Sequence, residues 1–329
     1  MSTKNPQNPK ALLFDIGGVC VVSPFQAILN YEIAHSIPPG YVNYAISRTA
    51  PNGAWQRLER GEIPLDDAFF AAWAKDLASE KRWREFWLRS QAAQPLSKEQ
   101  PQKVGYEVTD AAAVASGGQK KQLDVPPVPR IDTKAMFWEM MRTSRAPDPW
   151  MFPALVRLRN SKKFILGGLS NTVIFPAGIR DERNAVFESG LRFEEGGKVR
   201  RVGAGDREGP PEGQVDGEES EKDGGNTQIQ AMFDVFVSSA HVGMRKPDPA
   251  IYKLALEKLD EAAKAKGLGG LQPGDVLFID DIGQNLRTAR ELGMRTLKVE
   301  LGKAWKAVRS LEDITGLVLL EAEPKMGKL

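Results

Sequence analysis

The sequence has few of the residues that bind soft metals or form disulfides. Its 329 residues include one cysteine and two histidines, so an internal disulfide framework is excluded and a Cys/His zinc site lacks ligands. Long apolar runs are absent as well, since none approaches the roughly 18 residues that a membrane helix needs. Any metal bound by this chain would need oxygen ligands.

An excess of charge of one sign is also lacking. The 45 basic and 43 acidic residues leave a formal net charge of +2, so no global field predicts binding to nucleic acid or to an anionic membrane. Residues 1–10 lack the apolar stretch of a secretory signal, which predicts a cytoplasmic protein. Peroxisomal import stays an alternative, because Gly327-Lys328-Leu329 resembles a Ser-Lys-Leu address with glycine in place of serine.

Short apolar runs alternate with helical stretches along the chain, and they have the length and composition of buried parallel strands. The runs are 11–14, 164–169, 235–237, 276–279 and 296–299. Helices are predicted between the last three runs, over 250–267 with Asp248 as N-cap and over 286–292 with Gly293 as C-cap. The alternation predicts an α/β fold with a doubly wound parallel sheet.

The spacing of the first two predicted strands indicates an inserted domain, because far more residues separate them than one crossover requires. The sequence therefore predicts an α/β core over 8–22 and 150–320 with an inserted helical cap over 23–149. Two stretches have the composition of unstructured chain. A polar loop is predicted over about 91–130 in the cap, and a disordered insertion over about 180–228 in the core.

Polar side chains stand at or just beyond the carboxyl ends of four predicted strands. In chain order they are Asp15, Ser170 with Asn171, Lys246, and Asp280 with Asp281. Each of them taken alone is better explained as a capping or solvated residue. Ligands of an open α/β sheet bind at this edge, however, so the four together predict one site.

The chemistry of this set favours phosphoryl transfer. Three carboxylates at one edge repel one another and raise their own pKa values unless a cation neutralises them, and Mg²⁺ prefers such oxygen ligands. A carboxylate nucleophile is repelled by a phosphate group. Lys246 and Mg²⁺ would offset that repulsion, while Ser170 would donate a hydrogen bond to a phosphoryl oxygen. The predicted partner is a small phosphorylated molecule.

Four ordered motifs resemble those of the haloacid dehalogenase superfamily. They are Phe14-Asp15-Ile16-Gly17-Gly18-Val19, Leu169-Ser170-Asn171, Arg245-Lys246-Pro247-Asp248-Pro249 and Phe278-Ile279-Asp280-Asp281-Ile282-Gly283-Gln284-Asn285. Within the superfamily, the chain resembles the amino-terminal phosphatase-type domain of soluble epoxide hydrolase and the related domain of acyl-CoA dehydrogenase family member ten. The resemblance covers about 11–90 and 132–301. Because no sequence follows Leu329, an epoxide-hydrolysing half is not expected.

The resemblance implies a role for each motif residue. The implied nucleophile, which would attack phosphorus, is Asp15. The implied Mg²⁺ ligands are the side chains of Asp15 and Asp281 and the main-chain carbonyl of Gly17, with Asp280 supporting the metal. The implied phosphoryl-binding residues are Ser170, Asn171 and Lys246, with Asn285 behind them.

One position departs from the family pattern. Phosphatases of this superfamily usually carry a second aspartate two residues after the nucleophile as general acid/base, and here that position is Gly17. Loss of such a group costs about 10² to 10⁴ in rate. Three hypotheses remain: a hydrolase that is slow or acts on phosphates with good leaving groups, a phospho-ligand-binding or regulatory protein, and a metal-free 2-haloacid dehalogenase. The last ranks lowest because it leaves the Asp280-Asp281 pair unexplained.

Overall fold

A parallel β-sheet forms the centre of the computed structural model, which describes residues 8–92, 124–187, 191–193, 199–201 and 229–320. In chain order the strands are β1 (Ala11–Phe14), β2 (Ile165–Ser170), β3 (Leu191–Phe193), β4 (Val199–Arg201), β5 (Val235–Ser238), β6 (Val276–Asp280) and β7 (Arg295–Lys298). Five of them pair in the order β5-β2-β1-β6-β7, all parallel, while β3 and β4 form a separate antiparallel ladder.

Strand β1 occupies the middle of this sheet. Phe14 is in register with Gly168 of β2 on one side and with Ile279 of β6 on the other. The chain winds outward from β1 through β2 and β5, and then in the opposite direction through β6 and β7. The predicted doubly wound sheet is confirmed, and β1 ends at its topological switch point, where such sheets bind ligands.

Within the described residues, six helices connect β1 to the last helix before β2. They are α1 (Pro24–Ala34), α2 (Tyr41–Thr49), α3 (Ala54–Glu59), α4 (Asp67–Leu77), α5 (Glu80–Ala92) and α6 (Thr133–Thr143). Tyr41, Trp73 and Phe137 are each fully buried and belong to a hydrophobic cluster separate from the clusters on the sheet. A cap with its own core requires such a cluster. The domain boundaries at 23 and 149 stay a prediction.

Helices cover both faces of the sheet. They are α7 (Met151–Ser161), α8 (Ser239–Val242), α9 (Pro249–Ala265), α10 (Gly283–Glu291) and α11 (Ala304–Thr315). Side chains alternate between the faces of a strand, so Leu12 packs into the cluster of α7 and α11, whereas Leu13 packs into that of α9 and α10. Truncation of either leucine to alanine would cost about 2 to 5 kcal/mol of stability.

Helix α9 begins as the sequence predicts. The Asp248 side chain accepts a hydrogen bond from the amide of Ala250, and Pro249 occupies the first turn. Helix α10 is followed by Gly293, whose φ of 85° lies in the left-handed region that glycine adopts without strain. These two helices fix the ends of β6 and so place its last residues at the site edge.

The two segments of low-complexity composition lie largely outside the described residues. The cap loop predicted over 91–130 is described at 91–92 and from 124 onward. The predicted disorder over 180–228 is wrong for 180–187, because Phe187 is buried against the cap and Asp181 forms an ion pair with Arg142. It is also wrong for 191–193 and 199–201, which form the ladder of β3 with β4. Gly327-Lys328-Leu329 also lies outside the described part of the chain. Within that part, no helix combines the length and apolarity needed to cross a membrane.

Candidate active site

Asp15 lies directly beyond β1 and is 6% exposed. Its amide donates to the carbonyl of Ile279 at 2.8 Å, which continues the ladder with β6 by one residue. Its Oδ1 accepts a hydrogen bond from the amide of Ile16 at 2.6 Å. The main chain therefore holds the predicted nucleophile at the switch point of the sheet.

The loop after Asp15 lies against Asp281. Gly18 has a φ of 79°, and a Cβ at this position would stand 2.5 Å from Oδ2 of Asp281. Glycine is required here both for the backbone conformation and for the close approach of the two chain segments. Gly17 has no such constraint, because a Cβ there would lie 3.3 Å from Cδ of Pro24.

Lys246 connects the predicted nucleophile to the fourth motif. Its ammonium lies 2.8 Å from Oδ1 of Asp15 and 2.7 Å from Oδ2 of Asp280, and the side chain is 1% exposed. Burial alone would lower the pKa of Lys246, but the two carboxylates outweigh it and raise the pKa above its usual value. The lysine is therefore charged and fixed between two strand ends.

Asp280 and Asp281 are adjacent in sequence but differ in their bonding. Both oxygens of Asp280 accept a bond from the Asn285 amide at 3.1 Å, and Oδ1 also accepts the amide of Ile282 at 2.7 Å. Among the described residues, the buried Oδ1 of Asp281 has no hydrogen-bond partner. Both carboxylate oxygens of Asp280 are thus hydrogen-bonded within the protein, whereas Asp281 has an oxygen available for a ligand.

When all three are ionised, the carboxylates of the site carry more negative charge than Lys246 neutralises. One oxygen each of Asp15, Asp280 and Asp281 lie within 4.8 Å of one another. Burial, opposed by Lys246 and reinforced by Asp280, raises the pKa of Asp15 to about 7. Burial and the two neighbouring carboxylates also raise the pKa of Asp281 well above its usual value. The available oxygen and the excess of charge suit a hard divalent cation such as Mg²⁺.

The structure places Ser170 and Asn171 differently. Ser170 ends β2, is 5% exposed and has its Oγ 3.5 Å from the carbonyl oxygen of Asn171. Asn171 bonds to the main chain of Lys246 through both of its polar side-chain atoms, donating to the carbonyl oxygen at 3.1 Å and accepting from the amide at 2.8 Å. Asn171 therefore fixes Lys246, and its predicted contact with a phosphoryl group stays a prediction.

A group of hydroxyls beside Ser170 was not predicted from the sequence. Thr172 Oγ1 bonds to Ser238 Oγ, and Ser238 Oγ lies 2.6 Å from Nδ1 of His241. The Thr172 amide donates to Ser239 Oγ at 2.8 Å. The available signal was the pair Ser238-Ser239 at the carboxyl end of β5, at the same sheet edge as Asp15.

Cys20 also lies beside the nucleophile. Its Sγ is 3.3 Å from the carbonyl oxygen of Asp15, to which it donates, and the side chain is fully buried. Burial, with further contributions from Asp15 and Asp148, raises the pKa of the thiol well above its usual value. A neutral, buried thiol of this kind packs as a small core residue.

These features define a class of site: three carboxylates and a buried lysine at the switch point of a doubly wound α/β sheet. A family model described as "Haloacid dehalogenase-like hydrolase" matches residues 216–299. Bifunctional epoxide hydrolase 2 of Sus scrofa is 42% identical over 94 residues, which are 29% of this chain and 15% of that protein. Acyl-CoA dehydrogenase family member 10 of Mus musculus is 40% identical over 87 residues, 26% of this chain and 7% of that protein.

The chain thus spans only a small part of the length of these relatives. A solved HAD family enzyme of Bacteroides thetaiotaomicron, in complex with magnesium and inorganic phosphate, has a TM-score of 0.38 at 15% identity, covering 90% of this chain and 97% of that one. Over the residues that they match, the family model and the curated relatives show that this chain is similar to haloacid dehalogenase-like hydrolases.

Proposed function

We propose that the chain is a Mg²⁺-dependent phosphoryl hydrolase that works through an aspartyl-phosphate on Asp15. The observation that carries the proposal is the buried Lys246 ammonium, 2.8 Å from Asp15 and 2.7 Å from Asp280, beside an Asp281 whose Oδ1 is buried and has no partner in the described chain. An ammonium bonded to the nucleophile favours its charged form and would attract a phosphoryl oxygen. The same set supports a cation site.

The residues that would hold Mg²⁺ are Asp15, Asp281 and the main-chain carbonyl of Gly17, with Asp280 supporting them. When bound, the ion would neutralise the carboxylates and polarise the phosphoryl group. Asp280 fits a supporting role because its oxygens already accept bonds from Lys246, Asn285 and the Ile282 amide.

The chain's own residues divide the reaction into two steps. In the first, an oxygen of Asp15 attacks phosphorus, the bond to the leaving oxygen breaks, and Lys246 and Ser170 hold the phosphoryl oxygens in place. In the second, water attacks phosphorus of the aspartyl-phosphate, which releases inorganic phosphate and restores Asp15. A general base would assist that water in a typical member of the family.

Gly17 limits both steps. Its position lacks the carboxyl that would protonate the leaving oxygen and then activate water, which is worth about 10² to 10⁴ in rate. The proposed substrates are therefore aryl or acyl phosphates, because their leaving groups need little protonation. The same residue favours a second candidate function, a protein that binds phosphorylated ligands without turning them over.

The test is an aryl-phosphate assay on purified protein with Mg²⁺ and with a chelator. We expect slow release of phosphate that requires Mg²⁺ and that Asp15→Asn abolishes, because an amide is not a nucleophile towards phosphorus. Asp66→Asn, at the N-cap of α4 in the cap, is a matched control that should retain turnover. Orthovanadate binding without any turnover would support the binding protein instead, and loss of both would contradict the proposal.

A further inference from the structure

The cap touches the core close to Lys246. Helix α3 of the cap ends at Glu59, whose Oε2 accepts a hydrogen bond from Nε of Arg245 at 2.7 Å. The main-chain carbonyl of Glu59 accepts a second bond, from Oγ of Ser239 at 2.6 Å. Glu59 of the cap is therefore bonded to both ends of the segment 239–245. Arg245, at the second of these ends, immediately precedes Lys246.

A third contact follows two residues later in the cap. Gly61 has a φ of 65°, and a Cβ there would stand 2.3 Å from the carbonyl oxygen of Ala240. The main chain of the cap therefore lies directly on that of α8. We call these three contacts, Glu59 with Arg245, Glu59 with Ser239 and Gly61 with Ala240, the cap latch.

The ion pair of the cap latch is more shielded than a typical surface pair. The side chains of Arg245 and Glu59 are 21% and 9% exposed, respectively. Screening by solvent and salt weakens exposed pairs most, so this pair retains more of its interaction energy. By contrast, Arg60 pairs with Glu62 at 2.6 Å within the cap, where the Glu62 side chain is 44% exposed.

Several contacts hold Lys246 in place, and the cap latch adds one from the cap. Asn171 bonds its main chain, and Asp15 and Asp280 hold its ammonium. Each of these partners belongs to the core. The guanidinium of Arg245, one residue earlier, connects the same main chain to the cap.

We propose that Glu59 and Arg245 are positioning residues: their ion pair docks the cap onto the Lys246 segment and thereby sets where the ammonium meets a phosphoryl group. That the ion pair docks the cap is independent of the proposed hydrolysis. That it positions the ammonium for a phosphoryl group rests on the proposed function. Glu59 lies 186 residues from Arg245 in sequence, so an effect of Glu59 on the Lys246 segment must pass through the folded contact.

The first measurement is native-state hydrogen exchange of the full chain. Neutralising the acid in Glu59→Gln should raise the exchange rate of amides over 239–246 about five-fold or more, the lower end of typical coupling between two sites. Glu62→Gln, three residues further along the cap, is the matched control and should leave those rates unchanged. Rates over 239–246 that stay at the wild-type level in Glu59→Gln would overturn the inference.

The second measurement is titration with orthovanadate in the presence of Mg²⁺. Glu59→Gln and Arg245→Gln should each weaken binding by a similar factor, and the double variant should be no weaker than either single one, because both remove the same contact. Exchanging the charges, Glu59→Arg with Arg245→Glu, should recover part of the loss. Additive losses without recovery would show that the two side chains act independently of each other, and would overturn the inference.

The two measurements separate the two claims. If wild type binds no orthovanadate, the proposed function fails, and the exchange rates over 239–246 still decide whether the cap latch couples to the Lys246 segment. If exchange responds to Glu59→Gln but orthovanadate affinity is unchanged in every variant, the cap latch docks the cap without positioning Lys246, and the inference is overturned.

Discussion

Substitution of Gly17 by aspartate should restore the general acid/base that this site lacks. Gly17 does not have a positive φ, so an L side chain is compatible with its backbone. The Cβ of the new residue would stand 3.3 Å from Cδ and 3.8 Å from Cγ of Pro24, and a shift of that ring by a few tenths of an ångström would relieve the contact. The steric cost is small beside the roughly 3 to 5 kcal/mol of barrier that a general acid/base supplies.

The expected gain in turnover depends on the substrate. For an alkyl phosphate, whose leaving oxygen must be protonated, Gly17→Asp should raise kcat by about 10² or more. For an aryl phosphate the gain should be smaller, because its leaving group departs with little protonation. The assay compares phosphate release from both substrates at saturating Mg²⁺.

Gly17→Asn is the control for this experiment. It has the shape of aspartate and makes the same contact with Pro24, but it transfers no proton at neutral pH. Equal turnover by the two variants would refute the reasoning, as would an unchanged rate in Gly17→Asp when the variant binds orthovanadate as tightly as wild type does. Either result would show that the missing carboxyl is not what limits the site.

Two further predictions concern stability. In the presence of a chelator, Lys246→Met should lower the free energy of unfolding by about 3 to 5 kcal/mol, because Asp15 and Asp280 lose their buried counterion. Denaturant titration measures this loss. A loss below about 1 kcal/mol, the value of a surface ion pair, would contradict the prediction. In the cap, burial raises the pKa of Glu32 to about 7, although amides of Gly40 and Val42 donate to it. The pKa of Glu32 in the folded state lies above its unfolded value of 4.5. The stability that protonated Glu32 contributes is therefore fully present below pH 4.5 and is lost as the pH rises through 7. Wild type should therefore lose stability relative to Glu32→Gln between pH 5 and pH 8, and a difference in unfolding free energy that is independent of pH would contradict the assignment.

The sheet and its site edge could be predicted from the sequence because β1, β2 and β6 are short, fully buried runs, each with a polar residue at or just beyond its carboxyl end. Asp15 and Asp280 follow such runs and meet in the structure as the topology requires. The prediction depended on one physical rule, that parallel strands in a doubly wound sheet present the same ends at the same edge.

Contacts between distant polar side chains could not be predicted in this way. The amide of Asn171 could bond to a ligand or to the protein, and the structure assigns it to the main chain of Lys246. The pairing of Glu59 with Arg245 joins an ordinary surface-type acid to an ordinary base, and sequence spacing carries no signal for it. Residues 180–187 are polar in composition but are held by Arg142 through Asp181, which composition does not reveal.

The position of Cys20 provides an internal reporter of motion at the nucleophile. It is the only cysteine in the sequence, and its sulfur lies 3.3 Å from the carbonyl oxygen of Asp15, fully buried. A thiol reagent can therefore modify the chain at one position and only while the loop after β1 is open. The rate of that modification measures how often the loop opens, and its slowing by Mg²⁺ or orthovanadate would follow ligand binding without any turnover.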